Sequence, residues 1–223
     1  MKRITVIAGH FGSGKTEFSV NLAMDLKKEH EKVALLDLDI ANPYFRSRER
    51  QKMLEDAGIK IYYNTFGYDI TEDLPAISAV LRAPLEDKDC VTVVDVGGND
   101  SGARVLKQFA KYFKNEDCRL LCVLNANRPE TDTVQGMITS LRSIEEETGL
   151  KIDGLVNNTH LLMETGPDDV LKGRDMCLEV SGKIGIPLVW NICWKEYADD
   201  LAKAGCENLY PVRIYMRPTW LDL

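Results

Sequence analysis

Short apolar runs alternate with amphipathic stretches along the chain, and this alternation predicts the fold class. Seven runs are rich in β-branched residues and nearly continuous in hydrophobicity, which is typical of strands covered on both faces. These runs are residues 4–8, 33–38, 60–63, 91–94, 120–124, 152–156 and 187–192. Because helix-length stretches separate them, we expect an α/β fold: a mainly parallel central sheet of about seven strands, flanked by helices on both faces.

Polar clusters follow most of the predicted strands. They occupy residues 37–46, 95–100, 125–132, 157–160 and 193–196. In a parallel sheet the carboxyl ends of the strands share one edge, where ligands of such folds bind. The functional site is therefore expected among these clusters.

Residues 9–16 read Gly-His-Phe-Gly-Ser-Gly-Lys-Thr, a complete G-x-x-x-x-G-K-[ST] phosphate loop between the first apolar run and a helix-like run at 16–28. In such a loop the backbone N–H groups surround the β-phosphate, the lysine reaches the β- and γ-phosphates, and the threonine hydroxyl ligates Mg²⁺. The helix dipole favours the same anion. The pattern predicts a P-loop NTPase fold and a nucleotide site at its start. The residues expected to contribute are Gly9, Gly12, Ser13, Gly14, Lys15, Thr16 and Glu17.

Two aspartates stand where catalysis would need them. Asp95 ends an apolar strand in the manner of a Walker B segment, so its carboxylate is expected in the Mg²⁺ shell; the alternative is an aspartate that caps the following turn. Asp39 follows the second strand and is expected to order the attacking water beside the metal, while Asp37 is the better candidate for a buried, hydrogen-bonded structural group. Gly98 would let the backbone approach the γ-phosphate and change conformation when it leaves.

Composition indicates the number of domains, the kind of partner and the location of the protein. With 223 residues, 44% of them hydrophobic, the chain can bury one substantial core, and we expect a single domain over residues 1–223. A net charge of −7 argues against nucleic acid as a main partner. The first apolar run is too short for a secretory segment, so a cytoplasmic location is expected. Six cysteines without a C-x-x-C pair are expected to be core residues.

Three motifs together are similar to the MinD/ParA/nitrogenase-iron-protein group of P-loop ATPases, with which the CobQ-type proteins are classed. They are the early phosphate loop, Asp-Leu-Asp at 37–39 and Asp-Val-Gly-Gly at 95–98. The resemblance covers most of the chain and implies a Mg²⁺-dependent ATPase switch that acts on a protein partner or a second copy of itself. It implies that Asp39 orients the attacking water, that Asp95 belongs to the second switch and that Asn158 contacts the adenine. Asn158 could equally satisfy loop backbone.

The chain departs from that group in several places. The group usually has a lysine after the first glycine of the loop, which reaches across a dimer, whereas this chain has His10. Either His10 or Arg46 could supply compensating charge, or His10 could be a loop side chain without a catalytic part. No cysteine pair follows Asp95, so no iron–sulfur cluster is expected. Residues 210–220 contain two prolines and read as extended, so no membrane anchor is expected.

Three other functions remain open from the residues. A metallochaperone-type GTPase has a similar phosphate loop, but guanine readers usually carry Asn-Lys-x-Asp, and this chain has Asn-Asn-Thr-His at 157–160. A small-molecule kinase or ATP-dependent ligase like dethiobiotin synthetase could hold an acceptor near Tyr44, Arg46 and Arg48. A non-hydrolysing adaptor is disfavoured by the presence of Lys15, Thr16, Asp39 and Asp95 together.

Overall fold

A computed structural model describes residues 2–39, 47–63, 79–98, 106–114 and 117–216. Within these ranges one sheet collects eight strands, and every pair of neighbours is parallel. The strands are β1 Ile4–Gly9, β2 Val33–Asp37, β3 Ile59–Tyr63, β4 Val91–Asp95, β5 Cys118–Leu124, β6 Gly154–Asn157, β7 Leu188–Trp194 and β8 Leu209–Val212.

The predicted α/β class and parallel sheet are confirmed, with one strand more than expected. All seven predicted runs overlap observed strands, and each predicted end lies within two residues of the observed one. β8 was missed because it has only four residues and includes Pro211. A proline is tolerated there because β8 is an edge strand that pairs with β7 alone.

Helices fill the connections between the strands. They are α1 Lys15–Glu29, α2 Gln51–Asp56, α3 Ala79–Glu86, α4 Ala110–Phe113, α5 Val134–Thr148, α6 Pro167–Ile184 and α7 Ala198–Lys203. The long ones carry clear end signals. The Thr133 hydroxyl accepts the N–H of Gly136 at the start of α5, and Gly149 and Gly185 end α5 and α6 in the left-handed conformation that glycine adopts most easily.

The core lies in two layers, one on each face of the sheet. Alternate residues of β1 divide between them, with Ile4 and Val6 in one layer and Ile7 in the other. The first layer includes residues of α3, α5 and α6, and the second includes those of α1 and α2. Five of the six cysteines are buried and all six are free, as expected of core residues.

The strand order β3-β2-β4-β1-β5-β6-β7-β8 places the site. The chain builds outward from β1 to β3, returns to insert β4 beside β1, and then continues to the other side with β5. The direction of growth therefore changes around β1, and ligands of open parallel sheets bind at such a point, beyond the carboxyl ends of the strands. The phosphate loop leaves β1 there.

The carboxyl-terminal part of the chain runs back along α1. After β8, the backbone N–H of Arg213 donates to Asn21 Oδ1 at 2.8 Å, and Asn21 Nδ2 donates to the carbonyl of Arg213 at 2.9 Å. The predicted extended conformation is confirmed for residues 210–212, which belong to β8, whereas residues 213–216 have no regular structure and 217–220 lie outside the described residues. No helix in the described ranges combines the length and apolar character needed to cross a bilayer.

Candidate nucleotide-binding site

The phosphate loop joins β1 to α1 through a tightly wound backbone. Gly9, Gly12 and Gly14 have φ angles of 147°, 75° and 81°, in a range that other residues adopt only with strain. A Cβ at Gly9 would also lie 2.3 Å from the carbonyl oxygen of Val123 on β5. The glycines of the motif are therefore required by conformation and by close packing, as the sequence predicted.

Lys15 lies inside this loop and is only 6% exposed. Its Nζ donates to the carbonyl oxygen of His10 at 3.0 Å, across the loop. Burial lowers the pKa of Lys15, and the charges of Asp95 and Asp39 oppose that shift. A buried lysine in a phosphate loop of this sequence is suited to receive the terminal phosphates of a nucleotide.

Asp95 is the buried acid of the site. It ends β4 in register with Asp37 of β2, and the Ser19 hydroxyl donates to its Oδ1 at 3.3 Å. Burial raises the pKa of Asp95 to about 7, with a further rise from the charge of Asp37, while Lys15 and the Thr16 hydroxyl favour its ionised form. Its Oδ2 is buried and makes no hydrogen bond with any described residue.

The oxygen atoms of Asp95 and Thr16 could contribute to a Mg²⁺ site. A buried carboxylate oxygen of Asp95 without a hydrogen bond, close to the hydroxyl of Thr16, is suited to a hard cation or to a water bound to it. Among the residues that the structure describes, no group of three His, Cys, Asp or Glu side chains could hold a metal by itself. Thr16 and Asp95 would therefore hold Mg²⁺ only together with phosphate oxygens and waters, as nucleotide sites commonly do.

Asp37 ends β2, and Asp39 follows it. β2 lies next to β4, on the side away from β1. Asp37 Oδ1 accepts the backbone N–H of Asp39 at 3.0 Å, which agrees with the structural role expected for Asp37. Asp39 is 9% exposed, and its charge acts on both Lys15 and Asp95. Its place beside the buried cluster is compatible with the predicted water-ordering role, which stays a prediction.

Gly98 brings the segment after Asp95 against the phosphate loop. A Cβ at this position would lie 2.6 Å from the backbone nitrogen of Phe11 and 2.8 Å from Nζ of Lys15. Only a glycine permits this approach. The segment after Asp95 is thus in contact with the lysine expected to bind the γ-phosphate.

Asn158 and Glu17 have other contacts in this structure. Asn158 Nδ2 donates to the carbonyl oxygen of Ser13 at 2.7 Å, which favours the alternative that it satisfies loop backbone; the adenine contact stays a prediction. The Glu17 carboxylate accepts the backbone N–H groups of Tyr215 and Met216 at 2.6 and 3.0 Å. Its side chain therefore anchors the carboxyl-terminal segment, and any contact with a nucleotide stays a prediction.

Three residues that contact the phosphate loop were not predicted from the sequence. Asn125 Nδ2 lies 3.3 Å from the carbonyl oxygen of Gly12, and Arg128 Nε donates to the same oxygen at 3.0 Å. The His160 ring lies beside Gly14, and burial lowers its pKa, so the neutral ring is favoured. The available signal was their place in polar clusters after β5 and β6.

His10 stands at the position where the resemblance implied a lysine. Its Nδ1 lies 3.2 Å from the carbonyl oxygen of Phe11 and 3.7 Å from Glu130 Oε2. The ring thus contacts its own loop and the loop after β5. Tyr44 and Arg46, the other candidates for charge or acceptor binding, lie outside the described residues, and Arg48 stacks over Tyr63 at 5.9 Å from the ring centroid.

A groove of about 580 Å³ opens beside the phosphate loop. One end is formed by Gly9, His10 and Gly98, and the groove continues along α5. Its other lining is mainly hydroxyl and acidic side chains of α5 and the preceding loop. These are Glu130, Thr133, Thr139, Ser140, Ser143, Glu147 and Thr148.

Fold and site together define a P-loop nucleotide-binding domain. The CbiA family, described as the CobQ/CobB/MinD/ParA nucleotide binding domain, matches residues 4–176. This chain belongs to that family. A comparison with curated proteins finds no match.

Solved structures with a similar fold come from the signal recognition system. The cell division protein FtsY of Thermotoga maritima is 20% identical with a TM-score of 0.54, over 83% of this chain and 59% of that one. The signal recognition particle 54 kDa protein of Aeropyrum pernix, solved with GDP, is 21% identical with a TM-score of 0.52, over 80% and 39%. FtsY of Elizabethkingia anophelis with GDP gives 18% and 0.51, over 83% and 55%. This chain spans three fifths or less of these proteins, and the likeness shows the fold.

Replacing Asp95 with asparagine tests the buried acid. Because the pKa of Asp95 rises from 3.8 to about 7 on folding, its contribution to stability is full below pH 3.8 and is lost as pH rises through 7. Asp95→Asn removes this loss. We expect its free energy of unfolding, measured by urea denaturation without nucleotide or Mg²⁺, to rise relative to that of the wild type by on the order of 2 kcal/mol between pH 5 and pH 8. Asp199→Asn, an exposed control, should show no such pH-dependent difference, and equal pH profiles for Asp95→Asn and wild type would contradict the account.

Replacing Gly98 with alanine tests the contact between the segment after Asp95 and the phosphate loop. The added methyl group must displace Phe11 or Lys15, so we expect at least about a tenfold loss of nucleotide affinity in a fluorescent-nucleotide titration. Gly182→Ala on α6 is the matched control, because nothing lies within 4 Å of its added Cβ. Unchanged affinity in Gly98→Ala would show that the observed approach is irrelevant to binding.

Proposed function

We propose that this chain is a Mg²⁺-dependent ATPase that acts as a nucleotide-controlled switch. The observation that carries the proposal is the contact of Gly98 with Lys15: the backbone after Asp95 lies where it would respond to a γ-phosphate. Family membership supports nucleotide binding. The domain is proposed to comprise residues 1–223, because one sheet collects all described strands, and a cytoplasmic location is supported by the six free cysteines.

The proposed cycle uses the charges described above. Lys15 and the N–H groups of the loop bind the phosphates, and Thr16 and Asp95 hold Mg²⁺, which neutralises charge on the phosphate oxygens during transfer. Asp39 orders the water that attacks the γ-phosphorus. Loss of the γ-phosphate then frees the backbone at Gly98 to move, and a partner reads the change. Turnover by the isolated protein is expected to be slow.

Exposed apolar side chains beside the site support a macromolecular partner or a second copy of the chain. Phe11, inside the phosphate loop, is 63% exposed, and Leu162 and Met163 after β6 are 67% and 76% exposed. Apolar groups this exposed at the edge of a ligand site are typical of interaction surfaces. The backbone of Phe11 also lies against Gly98, in the segment proposed to respond to the nucleotide.

The choice of ATP over GTP rests on the loop after β6. Residues 157–160 lack the Asn-Lys-x-Asp pattern of guanine readers, and the buried Asn157 is engaged with Val170 and Asn191, with no free group for a base. Two of the similar solved structures contain GDP. The test below therefore compares GTP with ATP.

Nucleotide binding and phosphate release by four proteins test the proposal. The wild type should bind MgATP more tightly than MgGTP and release phosphate slowly. Lys15→Ala should lose binding by at least about tenfold, whereas Asp39→Asn should retain binding and hydrolyse about a hundredfold more slowly. Asp199→Asn serves as the exposed control. If Asp39→Asn hydrolyses ATP at the wild-type rate, Asp39 does not order the attacking water. If the wild type binds MgGTP more tightly than MgATP, the GTPase is favoured.

The groove along α5 favours a second function, ATP-dependent transfer to a small acceptor. It begins at His10 and Gly98, next to the expected γ-phosphate, and its hydroxyl and acidic lining suits a polar molecule bearing hydroxyl or amino groups. The test adds a small-molecule extract of cells to the ATPase assay. Acceptor-dependent ADP formation that Ser140→Trp abolishes, with basal hydrolysis unchanged, would establish the transferase, whereas no stimulation by the extract favours the switch.

A further inference from the structure

Arg128 belongs to a loop that is fixed by its own hydrogen bonds. The loop follows β5, where the hydroxyl of Thr131 donates to the carbonyl oxygen of Asn125 at 2.6 Å. The backbone N–H of Arg128 donates to the same carbonyl at 3.2 Å, and the N–H of Thr131 donates to the carbonyl of Arg128 at 2.9 Å. The backbone of Arg128 is therefore held in a defined turn beside the phosphate loop.

The guanidinium group lies against the middle of the phosphate loop. Arg128 Nε donates to the carbonyl oxygen of Gly12 at 3.0 Å. A Cβ at Gly12 would lie 2.8 Å from Cζ and Nε and 3.1 Å from Nη2 of the same group. The absence of a side chain at Gly12 thus allows a planar cation to pack on the loop backbone.

The charge of Arg128 has no acidic partner in the described part of the chain. The nearby carboxylate of Glu130 lies against His10, and none of the ion pairs among described residues includes Arg128. Burial lowers the pKa of His160, whose ring lies beside Gly14, and the positive charge of Arg128 lowers it further. A cation without a carboxylate partner adds positive potential at this loop, which favours the binding of an anion there.

We propose that Arg128 is a positioning residue for the triphosphate, acting from the same chain. Its Nε bond fixes the Gly12 carbonyl, and its charge adds to that of Lys15 in attracting the terminal phosphates. This inference rests on the proposed nucleotide binding and adds a second cation to the one in the motif. The sequence offered no motif for it, since only the fold brings the β5 loop to the phosphate loop.

The test compares two substitutions of Arg128 with a matched control. MgATP affinity is measured by calorimetry at low and high salt for the wild type, Arg128→Lys and Arg128→Gln, with urea denaturation to confirm that each is folded. Arg119→Gln is the control. It removes a half-buried arginine from the opposite end of β5, where Arg119 bonds the Thr5 hydroxyl and stacks on Trp190.

We expect Arg128→Gln to weaken MgATP binding by about tenfold at low salt, with a smaller difference at high salt because ions screen the interaction. Arg128→Lys should retain most of the affinity and of the salt dependence, and Arg119→Gln should match the wild type. If the lysine and glutamine variants lose MgATP affinity equally and independently of salt, Arg128 only supports the loop conformation, and the proposal is wrong. If Arg128→Gln binds MgATP as tightly as the wild type, the role of Arg128 is wrong but the proposed function stands. If the wild type binds neither ATP nor GTP, the proposed function is wrong as well.

Discussion

The site depends on a buried cluster of opposite charges at the point where the sheet changes its direction of growth. Lys15 is buried in the phosphate loop, Asp95 is buried at the end of β4, Asp37 ends β2, and Asp39 follows it. Burial disfavours the charged forms of both Lys15 and Asp95. Such a cluster is costly in the free protein, and under the proposed function a magnesium-bound phosphate would supply further countercharges.

The rest of the structure keeps this cluster in place. Parallel strands covered on both faces bring the loops after β1, β2 and β4 to one edge, and the loops after β5 and β6 grip the phosphate loop from outside through Asn125, Arg128 and Asn158. On the far side, Glu17 and Asn21 tie the first turns of α1 to the carboxyl-terminal segment. The loop is therefore supported by distant parts of the chain on two sides.

The sequence predicted the fold and the centre of the site because both rest on local signals. Continuous apolar runs marked seven strands, and fixed spacing marked the glycines, Lys15 and Thr16. The short edge strand β8, with its proline, gave too weak a periodic signal. Arg128, His160 and the Glu17 contacts could not be predicted, because they arise from loops brought together only by the order of the strands. Adjacency to Thr16 suggested a nucleotide role for Glu17, whereas its carboxylate bonds residues about 200 positions away along the chain.

Titration calorimetry of the wild-type protein with ATP and with GTP, each with and without Mg²⁺, tests the central claim most directly. If the buried cluster is built for a magnesium-bound triphosphate, saturable binding of one equivalent should appear with Mg²⁺ and weaken strongly when the metal is chelated. Titrations that show no binding of either nucleotide in the presence of Mg²⁺ would contradict the account.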